Sequence, residues 1–430
     1  MSEPDTGPFV VFANFLSDLA VDLDEGPVLA QWAQQAPRKA WLLRPGDVLV
    51  TPVPLSGGFR RYVSALTGVS SEQAPVVDVP SFGAVPLAQA VRRAGLLDEV
   101  RAHAARPGTA LLPTAQDASA LAFARDLGLT VHPYGSIEEA AAALPTVMLL
   151  NTKAGFRRAA EQVGMRLPEG RVCRRPEVAE AVRRLHERYE RVVVKPDRSA
   201  GGHGLRFLSR EDMRHAPLAL DAVGGPQGTW VVEECLPVAE SVSIQMENTP
   251  SGTRALFSGA MRTERGSFTG YVSPLPPSCA HVAAELEEWG MGLGRHLADR
   301  GYLGPFGLDA LIDTDGVAYA GESNVRRTAT TTPHTMVTRL AAVSGVAVPA
   351  WAVSKKRTRR PLGFEAAADR LRGHGLAFDP GRGEGVVLYA DAPPDGRSWR
   401  YAVVAAQADA VREWERALAK ALEFEEFEDR

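Results

Sequence analysis

The segment from Phe306 to Arg326 contains two apolar runs joined by the turn Asp313-Thr314-Asp315-Gly316, a pattern that predicts a β-hairpin. Asp309 lies on the first strand. Glu322 and Asn324 stand two residues apart on the second strand, so their side chains face the same side of the sheet. A solvated polar face is the simpler interpretation, but carboxylates in strongly apolar strands are rarely buried without a partner. We therefore predict that these three side chains hold Mg²⁺, which prefers carboxylate, phosphate and water oxygens.

A second group of residues lies upstream, where the apolar run Val192-Val193-Val194 delivers Lys195 into a glycine-rich turn. Glycine has no Cβ, so backbone N–H groups of such a turn can approach phosphate oxygens closely. The lysine adds a positive charge for the same phosphates. A tight hairpin is the commoner explanation of a glycine-rich turn taken alone. The turn fits neither a Walker A loop, because no Gly-Lys-Ser/Thr follows, nor a dinucleotide fingerprint, because no helix follows. Its candidate phosphate-binding residues are Gly201, Gly202, His203 and Gly204.

A third group follows the apolar run Trp230-Val231-Val232, which ends in two acidic residues. A run of this kind is often a strand that meets solvent. Because this run follows the strand of Lys195 and precedes the hairpin, we predict that it belongs to the same nucleotide site. The residues concerned are Glu233, Glu234, Cys235, Leu236 and, slightly further on, Glu240.

The length of 430 residues predicts roughly three domains. Short apolar runs alternate with helical patterns from Phe9 to His132, which favours an open, largely parallel α/β sheet. Within this stretch we expect a helix around Pro27 to Gln35 and short apolar elements at Ala40 to Leu43 and Val48 to Val50. We divide the chain at residues 1–135, 136–345 and 346–430.

The last of these three parts begins with a basic run, Lys355 to Pro361, which we expect to be a linker or solvated loop rather than a basic substrate patch. Beyond it, Gly385 to Asp391 and Trp399 to Ala405 predict a β-hairpin. An amphipathic helix from about Ala408 to Leu422 follows. We therefore expect a small α+β domain at residues 346–430.

Charge and cysteine content narrow the class of protein. The net charge of −4 argues against a general nucleic-acid binder. Three cysteines, Cys173, Cys235 and Cys279, form neither a disulfide framework nor a zinc motif. The longest apolar run, Ala140 to Leu150, is too short to span a membrane. We expect a cytoplasmic protein with reduced thiols and no membrane or nucleic-acid partner.

Taken in order, the lysine strand with its glycine-rich turn, Val-Glu-Glu-x-Leu, the strand aspartate and Glu-x-Asn resemble the ATP-grasp superfamily over about residues 150 to 342. The resemblance implies an N-terminal pre-ATP-grasp domain, a central ATP-grasp fold with a lid at about 180–235, and ATP with Mg²⁺ as cofactors. It implies that Lys153 and Lys195 bind ATP phosphates. The remaining implied contacts are adenine at Glu233, Cys235 and Leu236, ribose at Glu240, and Mg²⁺ at Asp309, Glu322 and Asn324.

The chain also departs from the D-alanine ligase branch of that superfamily. An arginine expected two residues before the strand aspartate is replaced by Gly307, and Arg326 follows the Glu-x-Asn motif as in the carboxylase branch. The resemblance therefore assigns Arg326 a catalytic role at developing negative charge. Arg262 and Arg265, between the hinge (Glu233 to Glu240) and the strand that carries Asp309, are candidate substrate-carboxylate ligands. For Arg262 an ion pair at the surface is an equally supported alternative.

Over nearly its whole length the chain resembles a narrower group, the actinobacterial ATP-grasp peptide ligases of the kind found in pheganomycin biosynthesis. This resemblance implies a carboxylate–amine ligase that works through an acyl phosphate. Its partners would be an amino-acid carboxylate donor, joined to the N-terminus of a peptide or to another amine, and a homodimer is one arrangement we consider. The alternative is an ATP-grasp kinase or carboxylase that forms no amide.

Overall fold

The structure is a computed structural model, and it describes residues 7–17, 19, 33–80, 85–199, 204–212, 228–264, 267–347 and 349–425. Most of the helix expected around Pro27 to Gln35 lies outside the described residues. The candidate site residues Gly201, Gly202, His203 and Arg265 also lie outside them.

The N-terminal part of the chain folds as an open parallel sheet flanked by helices. Its strands are β1 (Phe9–Phe12), β2 (Val48–Thr51), β3 (Val76–Asp78), β4 (Ala110–Pro113) and β5 (Thr130–Val131), and its helices are α1 (Gly57–Thr67), α2 (Leu87–Arg93), α3 (Leu97–Ala104) and α4 (Ala118–Leu127). The strand order is β3-β2-β1-β4-β5, and every neighbouring pair is parallel. Side chains of Ser56 and Asp117 cap α1 and α4, as their position before each apolar-periodic stretch predicts.

Two helices lead from this sheet into a small antiparallel sheet. The elements are α5 (Ile137–Leu150), α6 (Lys153–Gln162), β6 (Gly170–Arg174), α7 (Val178–His186), β7 (Arg191–Pro196), β8 (Arg206–Ser209) and β9 (Thr229–Glu234). The strand order is β6-β9-β7-β8. Helix α7 packs its apolar face on this sheet, and the resulting core is separate from those of the rest of the chain. This unit occupies the part of the sequence that predicted a lid.

A long antiparallel sheet forms the rest of the molecule. Its elements are β10 (Val238–Thr249), β11 (Gly252–Glu264), β12 (Ser267–Ser273), α8 (Ala283–Ala298), β13 (Gly304–Asp313), β14 (Ala318–Asn324), α9 (Thr331–Ser344), β15 (Ala350–Arg357), α10 (Phe364–Gly373), β16 (Gly385–Val387), β17 (Ser398–Ala405) and α11 (Ala408–Ala421). The eight strands run in the order β14-β13-β10-β11-β12-β15-β17-β16. The last three strands therefore extend the sheet that carries the β13–β14 hairpin.

The structure confirms the mixed α/β class with an N-terminal parallel sheet, ATP-grasp-like sheets and a C-terminal α+β part. The hairpins at β13–β14 and β16–β17 form as predicted. The three domain boundaries stay predictions, since one core joins the N-terminal sheet to the C-terminal strands. Among the described residues, no helix is long and apolar enough to cross a membrane.

One apolar run forms a helix, and one local expectation was wrong. The run Ala40 to Leu43 lies mainly in the 3-10 helix Ala36–Leu42, because Pro37 begins a helical turn whose apolar side chains pack on α9 and on the C-terminal part. The basic run expected to be a linker begins inside β15. There Lys355 to Arg357 pair with β17, since strand pairing continues past the apolar residues while the charged ends reach solvent.

Candidate functional site

The hairpin of β13 and β14 brings the three predicted metal ligands together. Asp309 pairs directly with Glu322 across the strands, and Asn324 follows two residues on, opposite Gly307. Asn324 Nδ2 donates to Asp309 Oδ2 at 3.0 Å. Burial, together with the nearby Glu322 carboxylate, raises the pKa of Asp309 to about 8. The two carboxylates thus lie side by side in the sheet, and a cation bound between them would reduce their mutual repulsion.

Arg326 lies at the same end of the hairpin and is held on both sides. Its Nη2 donates to Asn324 Oδ1 at 2.7 Å, and its Nη1 donates to Asn151 Oδ1. Asn151 also accepts the Val325 amide at 3.1 Å. Burial lowers the pKa of Arg326, opposed by the two carboxylates of the hairpin. The guanidinium is therefore placed beside the predicted metal ligands by a side chain from the end of α5.

Sequence reasoning missed Asn151 as a site residue. Its only signal was its place just before Thr152, whose hydroxyl accepts the Gly155 amide as the N-cap of α6. An asparagine there fits helix capping equally well. Its contact with Arg326 joins residues that are 175 positions apart. A local sequence pattern cannot predict a contact between residues so far apart in the chain.

Lys153, the first residue of α6, bridges the small sheet and the long one. Its Nζ donates to Ser199 Oγ at 2.9 Å and to the Ser199 carbonyl at 3.1 Å. On the other side it lies 3.5 Å from Glu322 Oε2. Burial lowers the pKa of Lys153, and Lys195 adds to that, while Glu322 opposes it. The charges of Lys153 and Lys195 therefore influence each other, and the assignment of both lysines to phosphate stays a prediction.

A buried ion cluster joins the small sheet to α6. Glu233 Oε2 lies 2.5 Å from Lys195 Nζ, and Glu233 Oε1 accepts from Arg157 Nη1 at 2.9 Å. Arg157 Nη2 also donates to the Pro168 carbonyl at 3.0 Å. The carboxylate expected at the adenine ring is therefore engaged by two cations here. Arg157, a residue that the sequence did not single out, completes its charge balance.

The remaining hinge residues lie along the end of β9 and the start of β10. Glu234 accepts the Glu169 amide at 2.7 Å, and the Cys235 amide donates to the Arg191 carbonyl at 3.0 Å. Leu236 is half-buried and its carbonyl accepts the Val238 amide. Glu240 is exposed on β10. The Cys235 amide is thus already used within the small sheet, although the resemblance places that residue's backbone at the ring edge.

Of the glycine-rich turn, Gly204 is described, and its φ of +73° lies in the left-handed region that favours glycine. This geometry suits the tight turn that the sequence predicted between β7 and β8.

Arg262 forms a two-pronged ion pair with Glu415 of α11, at 2.5 and 2.8 Å. The Glu415 contact raises the pKa of Arg262 despite the opposing effect of burial. Tyr401 donates its hydroxyl to the same carboxylate at 3.2 Å. Of the two interpretations of Arg262, the ion pair is the one that the structure contains, and it ties the C-terminal helix to the long sheet.

Of the side chains described above, those of Asn151, Lys153, Glu322, Asn324 and Arg326 line one polar cleft, and Asp309 pairs with Glu322 at its edge. Its lining residues are Leu19, Asn151, Thr152, Lys153, Ser199, Glu322, Ser323, Asn324 and Arg326. The described residues contain no group of three His, Cys, Asp or Glu side chains that could hold a metal. A cation here would instead have two carboxylates and an amide, with phosphate and water completing its shell, which suits Mg²⁺. The donor set fits that ion, provided that Asn324 Oδ1 exchanges its contact with Arg326.

Two family models match parts of the chain. The pre-ATP-grasp domain matches residues 36–129, and the PGM1 C-terminal domain matches residues 366–418. A search of curated proteins finds no match. The chain therefore has an ATP-grasp-like fold with a pre-ATP-grasp domain in its N-terminal part.

Solved structures of that fold align over almost the whole chain. N5-carboxyaminoimidazole ribonucleotide synthetase from Thermus thermophilus aligns over 98% of this chain and 100% of its own, with a TM-score of 0.59 and 14% identity. N5-carboxyaminoimidazole synthase from Aspergillus clavatus, in complex with ADP and 5-aminoimidazole ribonucleotide, aligns over 97% of this chain and 99% of its own, with a TM-score of 0.57 and 12% identity. The biotin carboxylase domain of a 2-oxoglutarate carboxylase from Hydrogenobacter thermophilus, with MgADP and bicarbonate, aligns over 98% of this chain and 91% of its own. Its TM-score is 0.59 and its identity is 14%.

Proposed function

We propose that this protein is an ATP-dependent carboxylate–amine ligase of the ATP-grasp type. The observation that carries the proposal is the pairing of Asp309 with Glu322, with Lys153 and Arg326 at the same cleft. Such a set of paired carboxylates between buried cations suits a metal-bound triphosphate. The similar structures that contain ADP, ATP or MgADP support the assignment of ATP and Mg²⁺ as cofactors.

The reaction proposed has two steps. An oxygen of the substrate carboxylate attacks the γ-phosphorus of ATP, the bond to the β-phosphate oxygen breaks, and ADP leaves. An amine then attacks the acyl carbon, the carbon–oxygen bond to phosphate breaks, and the amine proton is lost as the amide forms. Magnesium ATP supplies the phosphoryl group and part of the neutralising charge.

The chain's own residues act on charge and position in this scheme. Lys153 and Lys195 neutralise phosphate oxygens, since catalysis of phosphoryl transfer is mostly positioning and electrostatics. Arg326, oriented by Asn151 and Asn324, faces the charge that develops on the substrate oxygens. Asp309 and Glu322 would hold the metal. The small sheet carries Lys195 and, through Ser199, contacts Lys153, so it can exclude water from an acyl phosphate.

The finer part of the proposal concerns the substrates. We infer that the chain forms a peptide bond in natural-product biosynthesis, joining a nonproteinogenic amino acid to the N-terminus of a peptide in the cytoplasm. Support comes from the resemblance to actinobacterial ATP-grasp peptide ligases and from the matched C-terminal domain, which differs from a bare ATP-grasp unit. A homodimer is included in the proposal because the neighbouring biotin carboxylase domain is described as a dimer.

The test is a product assay on the full chain with Mg²⁺, ATP and pooled amino acids and peptides. We expect ADP and phosphate release that needs both a carboxylate and an amine, and a new amide detected by mass spectrometry. Glu322→Gln should lower kcat/KM at least about 100-fold, the scale of losing one electrostatic contact to a transition state. Glu285→Gln is the matched control, because Glu285 contacts Arg166 outside the cleft. Equal rates for the two variants would contradict the metal assignment.

A second candidate function is ATP-dependent carboxylation, in which bicarbonate replaces the organic carboxylate. Arg326 after Glu322-x-Asn324 favours it, as do similar structures that include carboxylating enzymes. ADP release that requires bicarbonate and yields a carboxylated amine would select this function. Release that continues in bicarbonate-depleted buffer, with amide formation, would select ligation.

A further inference from the structure

A second cavity, of about 490 Å³, lies at the carboxyl ends of the parallel strands β1, β2 and β3. Phe15, Val53, Val79 and Leu87 are among its lining residues, and prolines 52, 54 and 80 close the loops around it. Its size falls in the usual range of small-molecule sites. Open α/β sheets bind ligands at the carboxyl ends of their strands. No residue assigned to ATP, metal or catalysis lines this cavity.

The cavity and the polar cleft are joined by one short segment. Phe15 and Leu16 line the cavity, and Leu19 lines the cleft. Leu19 follows Leu16 by three positions, so their Cα atoms are at most roughly 11 Å apart. A single small substrate can therefore place one end in the cavity and the other near the cleft that holds Arg326.

The wall formed by Phe15 is fixed by two buried cations. The guanidinium of Arg38 lies 5.1 Å and the ammonium of Lys39 lies 5.2 Å from the centroid of the Phe15 ring. Lys39 Nζ also donates to Thr332 Oγ1 at 3.0 Å. Cation–π contacts of desolvated groups are strong enough to hold a ring in place. The cavity is therefore a built feature rather than a loose gap between loops.

The charged group at the cavity already has a partner. Asp78, the last residue of β3, lies 2.8 Å from Arg60 Nη2 of α1. Gln34 is the other polar side chain among the lining residues that the structure describes. An apolar wall with a neutralised carboxylate favours an uncharged, bulky side chain over a charged one.

We propose that this cavity binds the apolar side chain of the substrate whose carboxylate is activated, and so selects donors with an aromatic or large aliphatic side chain. The identity of the ligand as a carboxylate donor rests on the proposed function, whereas binding of an apolar group in the cavity does not. A compact, mostly apolar cavity of about 490 Å³ suits one bulky side chain, whereas a peptide acceptor needs a longer groove with backbone hydrogen-bond partners. The carboxylate of a molecule seated there extends towards Arg326.

The test measures binding to the full chain, in the presence of Mg–ADP, of two probes with the same apolar body. Phenylacetate has the carboxylate of a donor and phenethylamine has the amine of an acceptor. Ligand-observed NMR should show binding of phenylacetate and, at the same concentration, no binding of phenethylamine. The reverse preference would overturn the donor assignment, and absence of binding by either probe would overturn the cavity as a substrate site.

Variants that fill the cavity complete the test. Val53→Trp should weaken phenylacetate about 10- to 100-fold, the range expected for losing burial of an aromatic group, while leaving Mg–ADP affinity unchanged. Val85→Trp fills the same cavity from another segment and serves if the first variant fails to fold. Val172→Trp, at an exposed position on β6, is the matched control. Unchanged phenylacetate affinity in both cavity variants would overturn the proposal.

The cavity and the proposed ligase activity can fail independently of each other. Loss of phenylacetate binding in Val53→Trp, in a protein that makes no amide, would uphold the cavity and refute the ligase. Amide formation with equal selectivity for glycine and phenylalanine donors would uphold the ligase and refute the cavity.

Discussion

Glu233→Gln should destabilise the small sheet strongly, although the substitution keeps the shape of the side chain. The Glu233 side chain is 7% exposed and neutralises Arg157 and Lys195, which are 10% and 14% exposed. Removing one partner of a buried ion pair costs about 3–5 kcal/mol, because an uncompensated charge stays buried. Glu161 contacts the same arginine at 3.4 Å but is 57% exposed. Glu161→Gln should therefore cost about 0–1 kcal/mol.

Hydrogen exchange of the β7 and β9 amides measures this local stability directly. A loss of about 3–5 kcal/mol corresponds to a fall in protection of roughly a hundredfold to a few thousandfold. Glu161→Gln should leave protection of the same peptides within about tenfold of the wild type. If Glu233→Gln matched that control and raised only the KM for ATP, Glu233 would be an adenine contact and not an anchor of the sheet.

Two further predictions concern the site and its surroundings. Asn151→Ala should lower kcat/KM about 10- to 100-fold, since a hydrogen bond to a charged group contributes about 1.5–3 kcal/mol. The loss should fall on kcat rather than on the KM for ATP, because Asn151 positions Arg326. A loss confined to KM would contradict that role. His334 stacks on Phe257 at 4.0 Å, and burial lowers the pKa of His334 to about 4. In the unfolded chain this histidine takes up a proton below its ordinary pKa of 6.5, whereas in the folded chain it stays neutral down to about pH 4. Wild type should therefore lose stability relative to His334→Phe as the pH falls from 6.5 towards 4, and parallel stability curves would refute this.

The sequence was most informative where a local pattern decides the structure. The turn at Asp313 to Gly316 predicts the β13–β14 hairpin, and strand alternation places Glu322 and Asn324 on one face. The pairing of Asp309 with Glu322 was not predictable in this way, because an irregularity between Asp309 and Ala310 shifts the register there. The helix beginning at Lys153 was predictable from its cap, Thr152.

Features that depend on long-range packing were not accessible in this way. Ala40 to Leu43 is as apolar as a strand, and only its packing against α9 and the C-terminal part explains a 3-10 helix. Arg157 carries no motif, and its role depends on Glu233, which is 76 residues away in the chain. The cavity beside Phe15 is formed by three loops that no single stretch of sequence brings together.

The central claim is that the cleft between Lys153, Arg326 and the Asp309–Glu322 pair activates an organic carboxylate as an acyl phosphate. The most direct measurement uses a donor labelled with ¹⁸O in its carboxylate, together with Mg²⁺, ATP and an amine. The account predicts that each amide formed is accompanied by one ¹⁸O atom in the released phosphate. Phosphate that carries no label while the amide forms would contradict it.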